Sequence, residues 1–351
     1  MRVLIATDAW QPQVNGVVRT LTSLAESARQ FGVTVEFLTP EGFPSIGVPT
    51  YPGLRVALPG RRQIAERIVA VAPDAIHIAT EGPIGIMARA FCLRHGLTFT
   101  TSYTTCFPEY IAERFPIPRS FSYAVLRRFH AAATVTMVST ASLFNQLTGR
   151  GFKHLGMWTR GVNTEKFSPE FAADLGLPRP VFLSMGRIAV EKNLDAFLSL
   201  DLPGSKVVIG EGPQEAELRR RYPAVKFLGL PKDRALVAHL AAADVFVFPS
   251  KTDTFGVVQL EALACGVPVA AYPVMGPRDV IGASPVGALD NDLRAACIGA
   301  LGLSRQACRA FALERSWEAS ARQFIAHVNK AAIARSQRQR AAFALEATAG
   351  G

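Results

Sequence analysis

Short apolar runs rich in β-branched residues alternate with helical segments along the whole chain. A strand that is apolar on both faces has to be covered on both sides, which is typical of parallel sheets flanked by helices. The alternation therefore predicts an α/β protein with doubly wound parallel sheets. Ten runs are predicted to be strands: Arg2–Thr7, Val35–Thr39, Ala75–Thr80, Thr98–Ser102, Thr134–Val138, Val181–Met185, Lys206–Ile209, Val225–Leu228, Val245–Pro249 and Pro268–Tyr272.

The length of 351 residues exceeds that of one ordinary domain and suits two. Turn residues without periodicity at 160–178 predict the boundary between them. We expect an N-terminal domain over 1–165 and a C-terminal domain over 175–315. Apolar and small residues at helical spacing predict a last helix within 316–351, which we expect to pack back on the N-terminal domain.

Composition argues against several classes of protein. Apolar residues make up 49% of the chain and charged residues 19%, which is typical of a folded globular protein. No apolar run reaches the roughly 18 residues of a membrane-spanning helix, and the N-terminus resembles a strand more than a secretory signal. The five cysteines are scattered without a Cys-x-x-Cys pair, so we expect a reducing, cytoplasmic location.

The sequence predicts neither a metal site nor a common nucleotide fingerprint. The six histidines lack ligand spacing, and the Asp-Asn-Asp run at 290–292 stands where a helix cap is expected. The Gly-Glu-Gly-Pro run at 210–213 would need a glycine in place of Glu215 to complete the dinucleotide motif, and a Walker A lysine is missing. Nicotinamide dehydrogenases and P-loop ATPases are therefore disfavoured.

Two loops carry groups suited to a diphosphate. Asn15 and Gly16 precede a predicted helix, whose first amides could face an anion, although any tight turn uses glycine in this way. Arg187 offers a bidentate fork and Lys192 a point charge after the first strand of the second half. Together these two cations could neutralise a departing diphosphate; the alternative is a solvated pair at a helix start.

The run from Asp253 to Glu261 carries two carboxylates, eight residues apart, around the start of a predicted helix. We expect Phe255, Gly256 and Val257 to form the first turn of that helix. Carboxylates accept hydrogen bonds from sugar hydroxyls, and unpaired first-turn amides donate to sugar oxygens. This pattern favours a polyol ligand over the alternative of an N-cap aspartate with an exposed glutamate.

The same run resembles the E-x7-E element of the retaining glycosyltransferases of family 4. Further segments follow that family at 12–20, 77–85, 160–167, 186–193 and 210–213. The resemblance is strongest to the lipid-directed branch, which includes bacterial glucosyl-, glucuronosyl- and sulfoquinovosyl-diacylglycerol synthases and phosphatidylinositol mannosyltransferases. It implies the GT-B fold, in which two Rossmann-like domains face each other.

The resemblance also implies roles for individual residues. Asn15 and Gly16 would approach the donor diphosphate from the first domain, while Arg187 and Lys192 would bind it from the second. Glu261 would hold the nucleotide ribose. No cofactor or metal would be needed, because the cations and a helix end do the work of a metal ion.

Other positions would contact the sugar and the base. Asp253 and Thr254, with the amides of Phe255, Gly256 and Val257, would hold the transferred sugar. Glu211 and Leu230 would border the base.

Two positions depart from the family pattern. The first carboxylate of the element is usually Glu, and Asp253 is shorter by one methylene. Relatives commonly read S-Y-H-T, with a histidine near the reacting sugar, where this chain has Thr104. Threonine keeps a hydrogen-bonding group but lacks the reach and charge of imidazole.

The net charge of +10 calls for an anionic partner. Between 55 and 160 there are 13 basic and five acidic residues, so the excess lies in the first domain. The segment 114–129 interleaves aromatic residues with arginines, as interfacial membrane segments do; an ordinary core helix with an Arg-rich face is the alternative. Nucleic acid is disfavoured because no binding module is recognisable.

We therefore predict an enzyme that transfers a hexose, with glucose or glucuronic acid favoured, from a nucleotide diphosphate sugar to a membrane lipid. UDP-sugar is favoured as donor and diacylglycerol as acceptor, at the inner face of the cell membrane. The alternatives are a GDP-mannose-dependent mannosyltransferase, a transferase for a soluble acceptor, and a non-catalytic protein that binds sugar nucleotides or membranes. The sequence leaves the oligomeric state open.

Overall fold

A computed structural model describes residues 1–11, 16–47, 55–109, 117–231 and 233–349. The chain divides into two compact units. The first comprises Met1–Thr159 together with Ser320–Gly351, and the second comprises Arg160–Ala319. Asn15 and the first part of the predicted interfacial segment, 114–116, lie outside the described residues.

Helices and strands alternate through the first unit, as the apolar runs predict. Its elements are β1 (Arg2–Ala6), α1 (Gly16–Ala28), β2 (Thr34–Leu38), β3 (Ser45–Gly47), β4 (Arg55–Ala57), α2 (Arg61–Val71), β5 (Ala75–Ile78), α3 (Pro83–Arg94), β6 (Thr100–Tyr103), α4 (Arg119–His130), β7 (Val135–Val138), α5 (Ala141–Gly149) and β8 (Leu155–Met157).

Within the described residues, the main sheet of the first unit has six parallel strands in the order β2-β1-β5-β6-β7-β8. The chain proceeds outward from β1 to β2, then returns to place β5 on the other side of β1. Ligands of open α/β sheets bind at such a reversal, outside the carboxyl ends of the strands. In this unit the reversal lies between β1 and β5.

The second unit repeats the pattern. Its elements are β9 (Val181–Met185), α6 (Leu194–Leu198), β10 (Ser205–Ile209), α7 (Glu215–Arg221), β11 (Lys226–Phe227), α8 (Asp233–Ala241), β12 (Val245–Phe248), α9 (Val257–Ala264), β13 (Val269–Ala271), α10 (Pro277–Val280), β14 (Gly287–Leu289), α11 (Leu293–Ala300), α12 (Arg305–Leu313) and the start of α13 (Trp317–Ala349).

The described strands of the second unit form a six-stranded parallel sheet in the order β11-β10-β9-β12-β13-β14. The strand order reverses between β9 and β12. Apolar side chains on both faces of this sheet are buried against helices, which explains why its strands are continuous apolar runs.

The segment expected to link two domains is part of the second unit instead. Phe167 is buried in the core of that unit, Phe171 packs against the same core, and Arg309 Nη1 donates a hydrogen bond to the Phe167 carbonyl at 2.6 Å. Its turn residues are typical of a linker, but its two phenylalanines pack against the core of the second unit.

The last helix, α13, begins in the second unit and continues in the first. Ala321, Phe324 and Val328 lie in the core of the first unit together with Trp158. The indole Nε1 of Trp158 donates to Ser320 Oγ at 3.1 Å. The apolar stripe of α13 thus covers one face of the first sheet.

All ten predicted strands are present, with ends that differ by at most two residues. The described chain also has β3, β4, β8 and β14, each of three residues and too short to give a periodic signal. Among the described helices, none combines the length and apolar character needed to cross a membrane.

Candidate active site

Most of the predicted site residues of the second unit follow four neighbouring strands. Arg187 and Lys192 follow β9, Glu211 follows β10, Leu230 follows β11, and the run from Asp253 follows β12. Because the carboxyl ends of parallel strands lie at one edge, the fold collects these residues there. The loops after β9 and β12 flank the reversal of strand order.

A salt bridge joins the loops on the two sides of this reversal. Lys192 Nζ donates to Asp253 Oδ1 at 2.8 Å and to Asp253 Oδ2 at 2.7 Å. The two side chains are 28% and 19% exposed, so the pair is screened only in part and remains accessible to a ligand. Lys192 is therefore bound to the carboxylate that the sequence places at the transferred sugar.

Hydrogen bonds from side chains to backbone carbonyls hold these two loops together. Asn193 has a left-handed φ of 53° and its side-chain amide donates to the Pro249 carbonyl at 3.0 Å. Ser250 Oγ donates to the Glu191 carbonyl at 3.1 Å. The positions of Lys192 and Asp253 are thus set by the chain on either side of them.

Helix α9 begins at Val257, two residues later than predicted, so Phe255 and Gly256 lie in the turn before it. Gly256 caps the helix with φ of 79°, a conformation that disfavours residues with a Cβ. Thr254 is buried, and the Gln259 amide donates to the Phe255 carbonyl at 2.8 Å. The turn therefore presents the first amides of α9 in a fixed arrangement.

The two carboxylates of the run lie in different environments. Asp253 lies in the loop before the helix, whereas Glu261 lies in the second turn of α9 and is 4% exposed. Burial raises the pKa of the nearby Cys265 thiol to about 12, and the negative charge of Glu261 contributes. Glu261 is thus a buried carboxylate held on a rigid helix.

Glycines allow the loops after β9 and β10 to approach each other. A Cβ at Gly210 would overlap the Gly186 carbonyl oxygen, and a Cβ at Gly212 would overlap the Ile188 carbonyl oxygen. The Ile188 amide donates to the Glu211 carbonyl at 3.0 Å. Backbone packing therefore requires the two glycines of the Gly-Glu-Gly-Pro run. Arg187 beside them is half-buried, and the Glu211 side chain is exposed.

In the first unit, Gly16 opens α1 and has no atom within 4 Å of where a Cβ would lie. Thr104 follows β6 directly and is half-buried. These two predicted residues therefore follow different strands at the same edge of the first sheet.

Sequence reasoning missed Asp8, which follows β1 at the reversal of the first sheet. Its Oδ1 accepts the Ile84 amide at 2.8 Å, and its Oδ2 accepts the Thr80 hydroxyl at 2.7 Å and the Gly85 amide at 3.3 Å. Burial raises the pKa of Asp8, while these hydrogen bonds act in the opposite direction. A Cβ at Gly82 would overlap this carboxylate, so a glycine after Glu81 was the available signal.

Two other polar groups have structural roles. His77 is fully buried, with Nδ1 2.9 Å from Thr100 Oγ1 and Nε2 3.2 Å from Ser102 Oγ. Asp292 caps α11 by accepting the Arg294 amide at 2.9 Å, as its position before that helix predicts. Among the described side chains, no His, Cys, Asp and Glu cluster has an arrangement that could hold a metal ion.

Comparison with family models agrees with this architecture. Residues 14–166 match the model described as Glycosyltransferase Family 4, and residues 179–300 match the model described as Glycosyl transferases group 1. The chain belongs to the family 4 glycosyltransferases. The two matches fall on the two parallel sheets, so each unit of this glycosyltransferase corresponds to one of the models.

Curated relatives of the glycosyltransferase include enzymes that are named for different sugars. A GDP-mannose-dependent alpha-mannosyltransferase of Mycobacterium tuberculosis is 28% identical over 93% of this chain and 96% of its own. A sulfoquinovosyl transferase of Arabidopsis thaliana is 32% identical over 68% of this chain and 50% of its own. An alpha-monoglucosyldiacylglycerol synthase of Acholeplasma laidlawii is 25% identical over 77% and 79%.

Among solved structures, a sucrose-phosphate synthase from Thermosynechococcus elongatus superposes with a TM-score of 0.74 at 20% identity, over 98% of this chain and 99% of that one. At this identity the likeness supports the fold alone. The glycosyltransferase has the GT-B fold, with two parallel-sheet domains.

Proposed function

We propose that this glycosyltransferase moves a hexose from a nucleotide diphosphate sugar to a hydroxyl of a membrane lipid, with retention at the anomeric carbon. The observation that carries the proposal is the contact between Lys192 and Asp253 at the reversal of the second sheet. One ligand at this place meets a cation suited to phosphate and a carboxylate suited to sugar hydroxyls.

The diphosphate lies against Arg187 and Lys192. An ammonium group has three N–H donors, and Asp253 accepts two hydrogen bonds from Lys192, so one donor remains for a phosphate oxygen. Arg187 adds a planar fork. These cations stabilise the negative charge that develops as the bond between the anomeric carbon and the phosphate oxygen breaks.

The sugar and ribose are held by carboxylates. Asp253 and the first amides of α9 contact the transferred hexose, and Glu261 accepts from the ribose hydroxyls. Thr254 lies beside the sugar, while Glu211 and Leu230 border the base. In the first unit, Gly16 at the start of α1 suits a phosphate oxygen, and the Thr104 hydroxyl suits a sugar hydroxyl.

The acceptor hydroxyl needs no protein base in this scheme. Its oxygen forms the new bond to the anomeric carbon as the bond to the diphosphate breaks, and its proton passes to the departing phosphate oxygen. The protein's work is therefore to orient both substrates and to exclude water from the donor.

A membrane acceptor is supported by the outer face of α4. Exposed apolar side chains lie on α4 at Phe121 (63%) and Val125 (53%) and just before it at Ile117 (40%). Arg119 and Arg128, both on α4, are exposed as well. Exposed apolar side chains flanked by arginines suit the boundary of an anionic lipid layer. We propose peripheral binding at the inner face of the cell membrane, with diacylglycerol or a related lipid as acceptor.

Two donor classes remain within the proposal. The sequence pattern favours UDP-glucose or UDP-glucuronate, and the mannosyltransferase relative that spans nearly the whole chain favours GDP-mannose. A second function, α-mannosyl transfer from GDP-mannose, is therefore the specific alternative.

The proposal is tested by measuring transfer of radiolabelled hexose into extractable lipid by the wild type, Asp253→Asn and Asp290→Asn. Asp253→Asn removes the charge that binds Lys192, and we expect transfer to fall by about 100-fold or more. Asp290 is an exposed aspartate of the same unit whose Oδ1 accepts the Asp292 amide, so its variant should retain activity. Equal activity of both variants would refute the assigned site.

A further inference from the structure

A buried polar cluster lies at the carboxyl ends of β5 and β6 in the first unit. It consists of Glu81, Tyr103 and Glu109, which follow or end these strands. Glu81 Oε2, the Tyr103 hydroxyl and Glu109 Oε2 are all buried, and none has a hydrogen-bond partner within the described chain. Burying such groups unpaired costs free energy, so the set calls for an explanation.

The carboxylates of the cluster are held in place through their other oxygens. Glu81 Oε1 lies 3.1 Å from His130 Nε2, and His130 Nδ1 lies 2.9 Å from Thr101 Oγ1. The side chains of His130 and Glu81 are 2% and 6% exposed. This contact fixes the orientation of Glu81 and leaves its Oε2 without a protein hydrogen-bond partner.

Glu109 is fixed in a similar way. Its Oε1 accepts the Tyr123 hydroxyl at 2.7 Å, and that hydroxyl accepts the Gln146 amide at 2.8 Å. Each carboxylate therefore has one oxygen bound to the protein and one without a protein partner.

The Tyr103 ring lies 5.8 Å from the ring of His130, the residue that contacts Glu81. Burial raises the pKa of the Tyr103 hydroxyl, and the neighbouring Cys106, Tyr123, Glu109 and Glu81 raise it further. The phenol therefore stays protonated, and it can donate one hydrogen bond as well as accept one. The cluster offers two carboxylates, and among the described residues no group of three or more His, Cys, Asp and Glu side chains could hold a metal ion.

We propose that the buried polar cluster binds the hydroxyl groups of a polyol, namely the head group of the acceptor. Ligand hydroxyls donate to Glu81 Oε2 and Glu109 Oε2, while the Tyr103 hydroxyl donates to a ligand oxygen. A polyol both donates and accepts, so it satisfies all three groups, whereas an alkylammonium ion only donates and leaves the Tyr103 proton without an acceptor. This inference rests on the proposed function in that the polyol belongs to the lipid acceptor.

The test compares the full-length wild type with Tyr103→Phe, Glu109→Gln and the control Tyr222→Phe. Tyr222 is in the second unit and donates its hydroxyl to Asp195 at 2.7 Å. Saturation-transfer NMR measures the dissociation constants of glycerol, myo-inositol and methyl α-glucoside, with n-propylamine, whose ammonium ion has no acceptor, as an amine of similar size. We expect a polyol to bind the wild type and Tyr222→Phe, and to bind the two cluster variants about fivefold or more weakly.

Thermal melting separates a binding role from a structural one. Tyr103→Phe removes a buried hydroxyl that lacks a protein partner, so its melting temperature should equal or exceed that of the wild type. A lower melting temperature together with unchanged polyol affinity would overturn the inference. So would preferential binding of n-propylamine, or the absence of saturable polyol binding by the wild type.

Different experimental outcomes would refute the polyol-binding cluster and the proposed function. Cluster-dependent polyol binding without hexose transfer to any lipid would refute the function and leave the binding site in place. Lipid glycosylation with the same acceptor KM in Tyr103→Phe and wild type would refute the site and leave the function.

Discussion

At the scale of single residues, the proposed donor site depends on Lys192 more than on any other cation. Lys192→Ala removes both the proposed phosphate contact and the charge that orients Asp253. We expect kcat/KM to fall by about 100-fold to 1,000-fold, with a small change in melting temperature because the pair is partly exposed. Steady-state transfer assays and thermal melting measure the two effects.

Lys251→Ala is the matched control for that variant. Lys251 lies in the same loop as Asp253, is exposed, and places Nζ 4.4 Å from the centre of the Tyr272 ring. It should retain activity. Equal losses in both variants would mean that the loss follows from removing positive charge near the loop and not from breaking the contact between Lys192 and Asp253, which would contradict the assigned role.

Asp8 gives the stability of the first unit a defined pH dependence. Its folded pKa is raised above the ordinary value of 3.8, so the folded state holds a proton that the unfolded state has released. Stability should therefore fall as pH rises from about 4 through the raised pKa, and Asp8→Asn should lose this component. Urea unfolding of the wild type and Asp8→Asn between about pH 4 and about pH 7 measures this component. Parallel pH profiles of the free energy of unfolding would contradict the prediction.

At the scale of elements, the turn before α9 requires Gly256. A Cβ there would lie 2.6 Å from Phe248 Cζ and 2.7 Å from Gln259 Nε2, in a backbone conformation with φ of 79°. Gly256→Ala should cost about 2–4 kcal/mol and reduce transfer by displacing the first amides of α9. Urea unfolding and donor kinetics measure both effects.

Gly299→Ala provides the comparison. Gly299 lies in α11, and the nearest atom to an added Cβ is Ala288 Cβ at 3.6 Å, an ordinary contact. It should be neutral or stabilising by up to about 1 kcal/mol, with full activity. A Gly256→Ala variant as stable and as active as this one would refute the argument from the turn.

The outer face of α4 is expected to bind membranes. Replacing Phe121 and Val125 by Ser removes exposed apolar area, so affinity for anionic vesicles should fall about tenfold or more while melting is unchanged. Val69→Ser is the control, because Val69 is 67% exposed on α2 of the same unit. Vesicle sedimentation measures binding, and an equal loss for Val69→Ser would contradict a role specific to α4.

The strands of the core were predictable because each is a continuous apolar run, and the loops after them followed from the same pattern. The contact between Lys192 and Asp253 could not be predicted, because 61 residues separate the two and only the order of β9 and β12 makes their loops adjacent. Asp8 was missed for the same reason: its partners at the start of α3 lie more than 70 residues away.

At the scale of the whole molecule, the two units have the same kind of sheet order but carry different side chains at the point where the strand order reverses. In the second unit a cation meets a carboxylate, whereas in the first unit Asp8 caps α3 near the buried polar cluster. The excess of positive charge belongs to the first part of the chain, where the proposed membrane face lies. These differences suit one unit to a donor diphosphate and the other to a lipid acceptor.

The central claim is hexose transfer to a lipid, and mass spectrometry of the lipids tests it most directly. The purified protein is incubated with anionic vesicles containing diacylglycerol and with UDP-glucose, UDP-glucuronate or GDP-mannose, each supplied separately. We expect a lipid product whose mass has increased by one hexosyl or hexuronosyl residue with one of these donors. Release of nucleotide without any glycosylated lipid, whichever donor is present, would contradict it.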